Sequence, residues 1–170
     1  AYVAGKGRDN PYFFTTRAQS LRMRMEPLLE ATPSDTAAIA ELTIEYEQTL
    51  NDLGLTEKTA GIAKDLAHAQ AFYLQSPTQA IELLESVLEI PGIYNRMAAL
   101  CKLELGDILV FQDNIWDASL LFSQVELDFK DDFFGHEAKF RNARISYYAG
   151  DFDWAQAQLD ALKASTSKLI

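Results

Sequence analysis

The stretch Leu105-Gly-Asp-Ile-Leu-Val-Phe-Gln-Asp-Asn-Ile-Trp-Asp-Ala-Ser-Leu-Leu-Phe-Ser-Gln-Val125 reads as the end of one helix, a tight turn and the start of an antiparallel partner. Two helices joined by a short turn approach to about 8–10 Å only where small residues sit at the crossing. Gly106 and Ala118 are the two small residues here, 12 positions apart. The same interval separates Ala143 from Ala155 and, with a larger residue in the first place, His68 from Ala80. Such a recurrence describes a repeated helical hairpin. One hairpin cannot bury both of its faces, so neighbours must stack, and stacking with a constant small rotation gives a curved array with a concave face.

Composition is compatible with this. A chain of 170 residues fits one domain that buries about 70% of its unfolded surface. Apolar residues make up 48%, ordinary for a folded chain and too many for a disordered one. The 8 Gly and 5 Pro fall between or near the ends of apolar-periodic segments, which favours long helices with short connections. Acidic residues outnumber basic ones 25 to 15, for a net charge of −10. A nucleic-acid partner is excluded on that ground, because displacing counterions from phosphates needs a basic face. Cys101 is the single cysteine; it permits no internal disulfide and reads as a small buried hydrophobe. No apolar run reaches the roughly 18 residues of a membrane span. The chain begins at Ala1 without a signal peptide, which reads as a processed or excised piece and leaves the compartment open.

Punctuation along the chain predicts eight helices in four hairpins and no strand. Residues 1–10 form an irregular arm, and residues 11–54 an N-terminal hairpin. Asn10-Pro11 opens the first helix, which runs to about Glu30, with Pro27 expected to kink it or end it early. Arg17, Arg22 and Arg24 on this helix read as a solvated basic face. Thr32-Pro33-Ser34-Asp35 is a turn and N-cap before a helix over about Thr36–Leu53, with Gly54 past its end. Thr56 is expected to cap a third helix, about Glu57–Leu74. Ser76-Pro77 starts a fourth, to about Ile90, and Pro91-Gly92 ends it. The fifth, about Tyr94–Phe111, is apolar on more than one side, as a helix with neighbours on two sides must be. The sixth covers about Ile115–Phe129, Asp131-Asp132 marks a connection, and the seventh and eighth cover about Phe134–Ala149 and Phe152–Lys163.

The last turn reads Tyr147-Tyr-Ala-Gly-Asp-Phe-Asp-Trp-Ala155, and the small residues Ala80, Ala118 and Ala155 follow one another at 38 and 37 positions. A Gly-Asp turn flanked by aromatics and a small residue at a fixed offset resembles the tetratricopeptide repeat. The resemblance covers about Glu57 to Lys163 and makes residues 55–170 three such hairpins, continuous with residues 11–54. Departures are visible. The family period is about 34, His68 takes a small-residue place, and Ser146 stands where an aromatic is usual. No polar capping helix follows the last repeat, and Leu169-Ile170 at the end suggests that a parent chain continues. The fold class implied is all-α, a right-handed superhelical stack of antiparallel helix hairpins.

The resemblance also implies an inner face built by the first helix of each pair. It would carry Asp65, Phe72 and Tyr73, then Asp107, Val110 and Phe111, then Arg144, Tyr147 and Tyr148. Aromatics with nearby charges suit a groove that takes a protein or peptide partner. Clamping the C-terminal carboxylate of a chaperone tail, one use of this family, needs Lys, Arg and Asn, and Asp65 and Asp107 stand in those places. Catalysis has no support. His68 and His136 are the only histidines, His136 and Glu137 are helix neighbours that do not face one another, and no HExxH, phosphate loop or GxSxG is present. No cofactor or metal site is implied. The expected function is a protein–protein interaction scaffold binding a partner on the concave face. The alternative is an assembly or dimerisation spacer, which would self-associate into homo-oligomers.

Overall fold

Gly54 and Gly150 take positive φ, +77° and +84°, a conformation glycine adopts at no steric cost, and each closes a helix. Both belong to a computed structural model of the chain. It describes residues 7, 10–130 and 132–166. Eight α-helices and no strand occur among them: α1 Phe13–Glu30, α2 Thr36–Leu53, α3 Ala60–Phe72, α4 Pro77–Leu88, α5 Asn95–Phe111, α6 Ile115–Asp128, α7 Phe133–Tyr148 and α8 Phe152–Thr166. The all-helical class and the order of helices agree with the sequence reading. The expected arm over residues 1–10 lies outside the described residues except for Gly7 and Asn10, as do Asp131, Leu169 and Ile170.

Four local expectations need revising. Of the two effects expected at Pro27, early termination does not occur, since α1 continues to Glu30. Its ring removes the N–H that would have met the Met23 carbonyl, and Met23 is exposed, so water can serve that carbonyl. The N-cap position expected at Thr56 is taken by Thr59, which is fully buried, directly precedes α3 and turns its hydroxyl back to the preceding turn instead of onto an α3 N–H. The three arginines of α1 are not a bare solvated face. Arg17 and Arg24 both pair with Glu45 of α2, at 3.1 and 2.5 Å, and Arg22 pairs with Asp65 of α3 at 2.7 Å. Ile44 and Trp116, which helical spacing of apolar residues would put on the inner sides of α2 and α6, are 52% and 86% exposed. The cap at Asp35 stands as expected, its Oδ1 accepting from the Ala38 N–H at 3.0 Å.

Contacts divide the chain into two units, 1–98 and 99–170, with the division in the first turn of α5. In the first, α1 packs on α2 and α3, and α3 packs on α2 and α4. Its core gathers Leu21, Met25, Ile39, Leu42, Tyr46, Ile62, Leu66 and Ala69. Alanines line α3, at Ala60, Ala63, Ala67, Ala69 and Ala71, all buried. That lets α3 serve as the central helix against which three others pack closely. Burial pushes the Tyr46 phenol well above its usual range, so it stays protonated at any pH the fold meets.

In the second unit α7 packs on both α6 and α8. The core gathers Ala99 and Leu103 of α5, Ala118, Phe122 and Val125 of α6, and Ala138 of α7. The small residue at the α5 crossing does what the sequence reading asked of it. A Cβ on Gly106 would lie 2.3 Å from the Phe122 ring, so glycine is what admits that ring.

Candidate functional site

α7 sorts its residues sharply by side. Gly135, Ala138, Asn142 and Ala143 face inward and are buried. Asn142 is satisfied by α6, its Oδ1 accepting from the Ser119 hydroxyl at 3.0 Å and its Nδ2 donating to Ser123 Oγ at 3.2 Å. The opposite side carries Phe133, Phe140 and Tyr147 at heptad intervals, with Tyr148 beside the last. They are 68%, 41%, 57% and 76% exposed. Two turns of helix are about seven residues, so these rings form one stripe along α7. Glu137 and Arg144 fall on the same stripe between them.

One residue that sequence reasoning passed over connects this stripe to α5. Arg141 donates from Nε to both carboxylate oxygens of Asp107, at 3.0 and 3.3 Å, and from a terminal nitrogen to Glu137. Burial pushes the Asp107 carboxyl above its usual value, and Arg141 pulls in the opposite direction without overcoming it. The Glu137–Arg141 spacing of i,i+4 was the available signal, since such pairs face one another on a helix. This bridge sets Asp107, on the C-terminal half of α5 with Val110 and Phe111, beside the α7 stripe. Val110 and Phe111 are 36% and 60% exposed.

At the C-terminal end of the stripe the chain turns through Gly150. The Gly150 N–H donates to Tyr147 O and the Asp151 N–H to Ser146 O, which returns Phe152 to the rings of α7. Tyr147 meets Tyr148 edge-on at 5.7 Å between centroids and Phe152 at 5.4 Å. Phe152 and Trp154, both on α8, are more than half exposed. Further along α7, the Arg144 guanidinium lies 6.0 Å from the centroid of the Phe140 ring.

The six candidate residues of the second unit thus lie along α5 and α7, with Arg141 joining the two helices. The three of the first unit have other employment. Asp65 accepts from Arg22 Nε and Nη2 at 2.9 and 2.7 Å and pairs with Lys64 at 3.1 Å. The hydrogen bond to Asp65 is also what raises the pKa of Arg22 most. The Tyr73 hydroxyl donates to Leu29 O of α1 at 3.3 Å. Phe72 is half-buried, its ring 5.0 Å from that of His68. Asp65 and Tyr73 therefore hold α3 to α1.

Among the described residues no group of three or more His, Cys, Asp or Glu could hold a metal ion. No described helix is long and apolar enough to cross a membrane. A second polar feature sits beside α3. Gln70 donates to Glu47 at 3.4 Å, and its buried carbonyl oxygen has no protein partner. Comparison of the chain with protein-family models, with curated proteins and with solved structures finds no match.

Proposed function

We propose that this chain is a protein-interaction scaffold whose partner, a protein segment or peptide, docks along the outward side of α7 and the adjoining C-terminal half of α5. The stripe of exposed rings at heptad spacing on α7 carries the reading. Large rings left in water are the costly choice for a helix with no partner, and aromatic anchors are enriched where partners bind. These rings are already partly covered, so each one a partner buries removes about half of the 150–250 Å² of a whole ring, worth about 2–3 kcal/mol at about 25 cal/mol/Å² before the entropic costs of association. Sixteen residues give α7 a length of about 24 Å, enough to engage roughly four turns of a guest helix or an extended segment. Serial stacking of the hairpins, in the right-handed superhelical manner of tetratricopeptide repeats, is part of the proposal. So is the absence of a catalytic, nucleic-acid or cofactor role.

A random dodecapeptide display library panned against the intact protein tests this. Selected peptides are expected to lose binding to a Tyr147→Ala/Phe111→Ala variant whose circular dichroism matches the parent. Peptides that bind both proteins equally would place the docking face elsewhere.

The same rings could instead meet those of a second copy, as an assembly spacer requires. Sedimentation at micromolar concentration separates the two readings. A scaffold remains monomeric, whereas a spacer associates and returns to monomer in the double variant.

A further inference from the structure

We infer that the ring cluster at the α7–α8 turn takes a cationic protein segment, with a Lys or Arg side chain of the partner seated on Tyr147, Tyr148 and Phe152. The inference rests on the docking face proposed above and names the chemistry of its occupant. Three observations support a cation in preference to an anion or a neutral apolar side chain.

The first is the rings themselves. Aromatic faces carry negative quadrupole density and attract a cation within about 6 Å of the centroid. Tyr147 meets both Tyr148 and Phe152 edge to face, so neither pair is closed by parallel stacking. All three are more than half exposed. The second is the charge around them. Asp151 and Asp153, both exposed, flank Phe152, and no Lys or Arg occurs between Arg144 and Lys163. Asp153 lies in the first turn of α8. An acidic partner would meet these two charges at the centre of its contact, whereas a basic one is steered toward them by the net charge of −10. The third is a precedent on the same stripe, where Phe140 already has the Arg144 guanidinium over it. The rings two turns further on have each other instead, and the place an intramolecular cation fills at Phe140 is open to an external one.

Arg144 opposes a second cation near Phe140, which confines the proposed seat to the C-terminal end of the stripe, next to Asp151 and Asp153. Ser146, directly before the rings in sequence, is already committed. The Ser146 hydroxyl donates to Asn142 O and lies 3.3 Å from Gln158 Oε1.

The test uses two synthetic dodecapeptides of equal length, one bearing Lys and Arg at alternate positions and the other Glu at those positions, titrated by fluorescence anisotropy into the intact protein. The basic peptide is expected to bind, with affinity falling as salt rises, and the acidic one not to bind. Tyr148→Leu with Phe152→Leu keeps apolar surface but removes the quadrupoles, and should weaken the basic peptide by about two- to fivefold per ring contacted. Asp151→Asn with Asp153→Asn replaces each carboxylate by a neutral amide of the same shape and should weaken it further, with a shallower salt dependence. Basic-peptide binding that ignores the ring substitutions would be long-range attraction alone and would overturn the inference. So would equal binding of the two peptides, or binding of neither. The docking face itself is judged separately. If display-selected peptides depend on Tyr147 and Phe111 yet carry no excess of Lys and Arg, the face stands and the cationic occupant falls. If no selected peptide depends on those rings, both fall.

Discussion

At Gly106 and Gly135 the absence of a Cβ matters for different reasons. A Cβ at Gly106 would lie 2.3 Å from the edge of the Phe122 ring, and one at Gly135 would lie 2.0 Å from the backbone oxygen of Phe129. A ring can tilt, but a backbone carbonyl moves only with its connection. Gly106→Ala is therefore expected to cost about 1–3 kcal/mol in overpacking, offset by up to about 1 kcal/mol of helix propensity. Gly135→Ala should cost more. Urea unfolding midpoints of the two variants check the order, and equal midpoints would show that the α6–α7 connection yields as readily as the ring. Gly106 was legible in the sequence because it recurs in a spacing pattern with Ala118. Gly135 was not, because it answers to a carbonyl only six residues away whose direction no hydrophobic period encodes. Arg141 escaped for a related reason. Its partner Asp107 lies 34 positions away, and the pairing exists only once α5 and α7 are side by side.

The connection between α2 and α3 shows how an element boundary is built and why the sequence misplaced it. Thr56 and Thr59 both have the chemistry of a cap, and spacing alone cannot choose between them. The choice falls to Thr59, whose hydroxyl donates to Gly54 O at 2.7 Å and accepts from the Thr56 N–H at 2.9 Å while fully buried. One side chain thus closes the turn that Gly54 opens with its positive φ. Thr59→Val keeps the shape and removes both bonds, while Gly54 and Thr56 are exposed, so water can take over part of what the hydroxyl did. The expected cost is about 1–2 kcal/mol, read as a lower thermal midpoint, and Thr56→Val should cost distinctly less. A Thr59→Val protein as stable as the parent would mean that water replaces both bonds in full. Helix existence and order were readable because apolar period, Pro and Gly agree along the chain. The outward rings of α7 were readable only in part. Tyr147 and Tyr148 were singled out by resemblance, while Phe133 and Phe140 emerge only once the buried side is known to be Gly135, Ala138, Asn142 and Ala143.

For the molecule as a whole, the proposed serial stacking has a consequence for cooperativity that a single shared core does not. In an array whose hairpins touch only their neighbours, stability is a sum of local terms, and damage at one place fades along the chain. Each of the two units has its own apolar cluster, one around Tyr46, Leu21 and Ile39, the other around Phe122, Leu103 and Val125. Leu21→Ala removes a fully buried side chain from the first and should cost about 2–5 kcal/mol there. Native-state hydrogen exchange reports how far the loss travels. With serial stacking, amides of α1, α2 and α3 should lose protection by the full amount, α4 by less, and α6 and α7 hardly at all. With one shared core, every helix would lose protection equally, because global unfolding would be the common route to exchange. Equal loss in α2 and α7 would therefore remove the stacked-hairpin reading even though every helix stayed where it is. It would also leave the α7 rings as surface of a bundle, with no recurring inner face for a partner to follow.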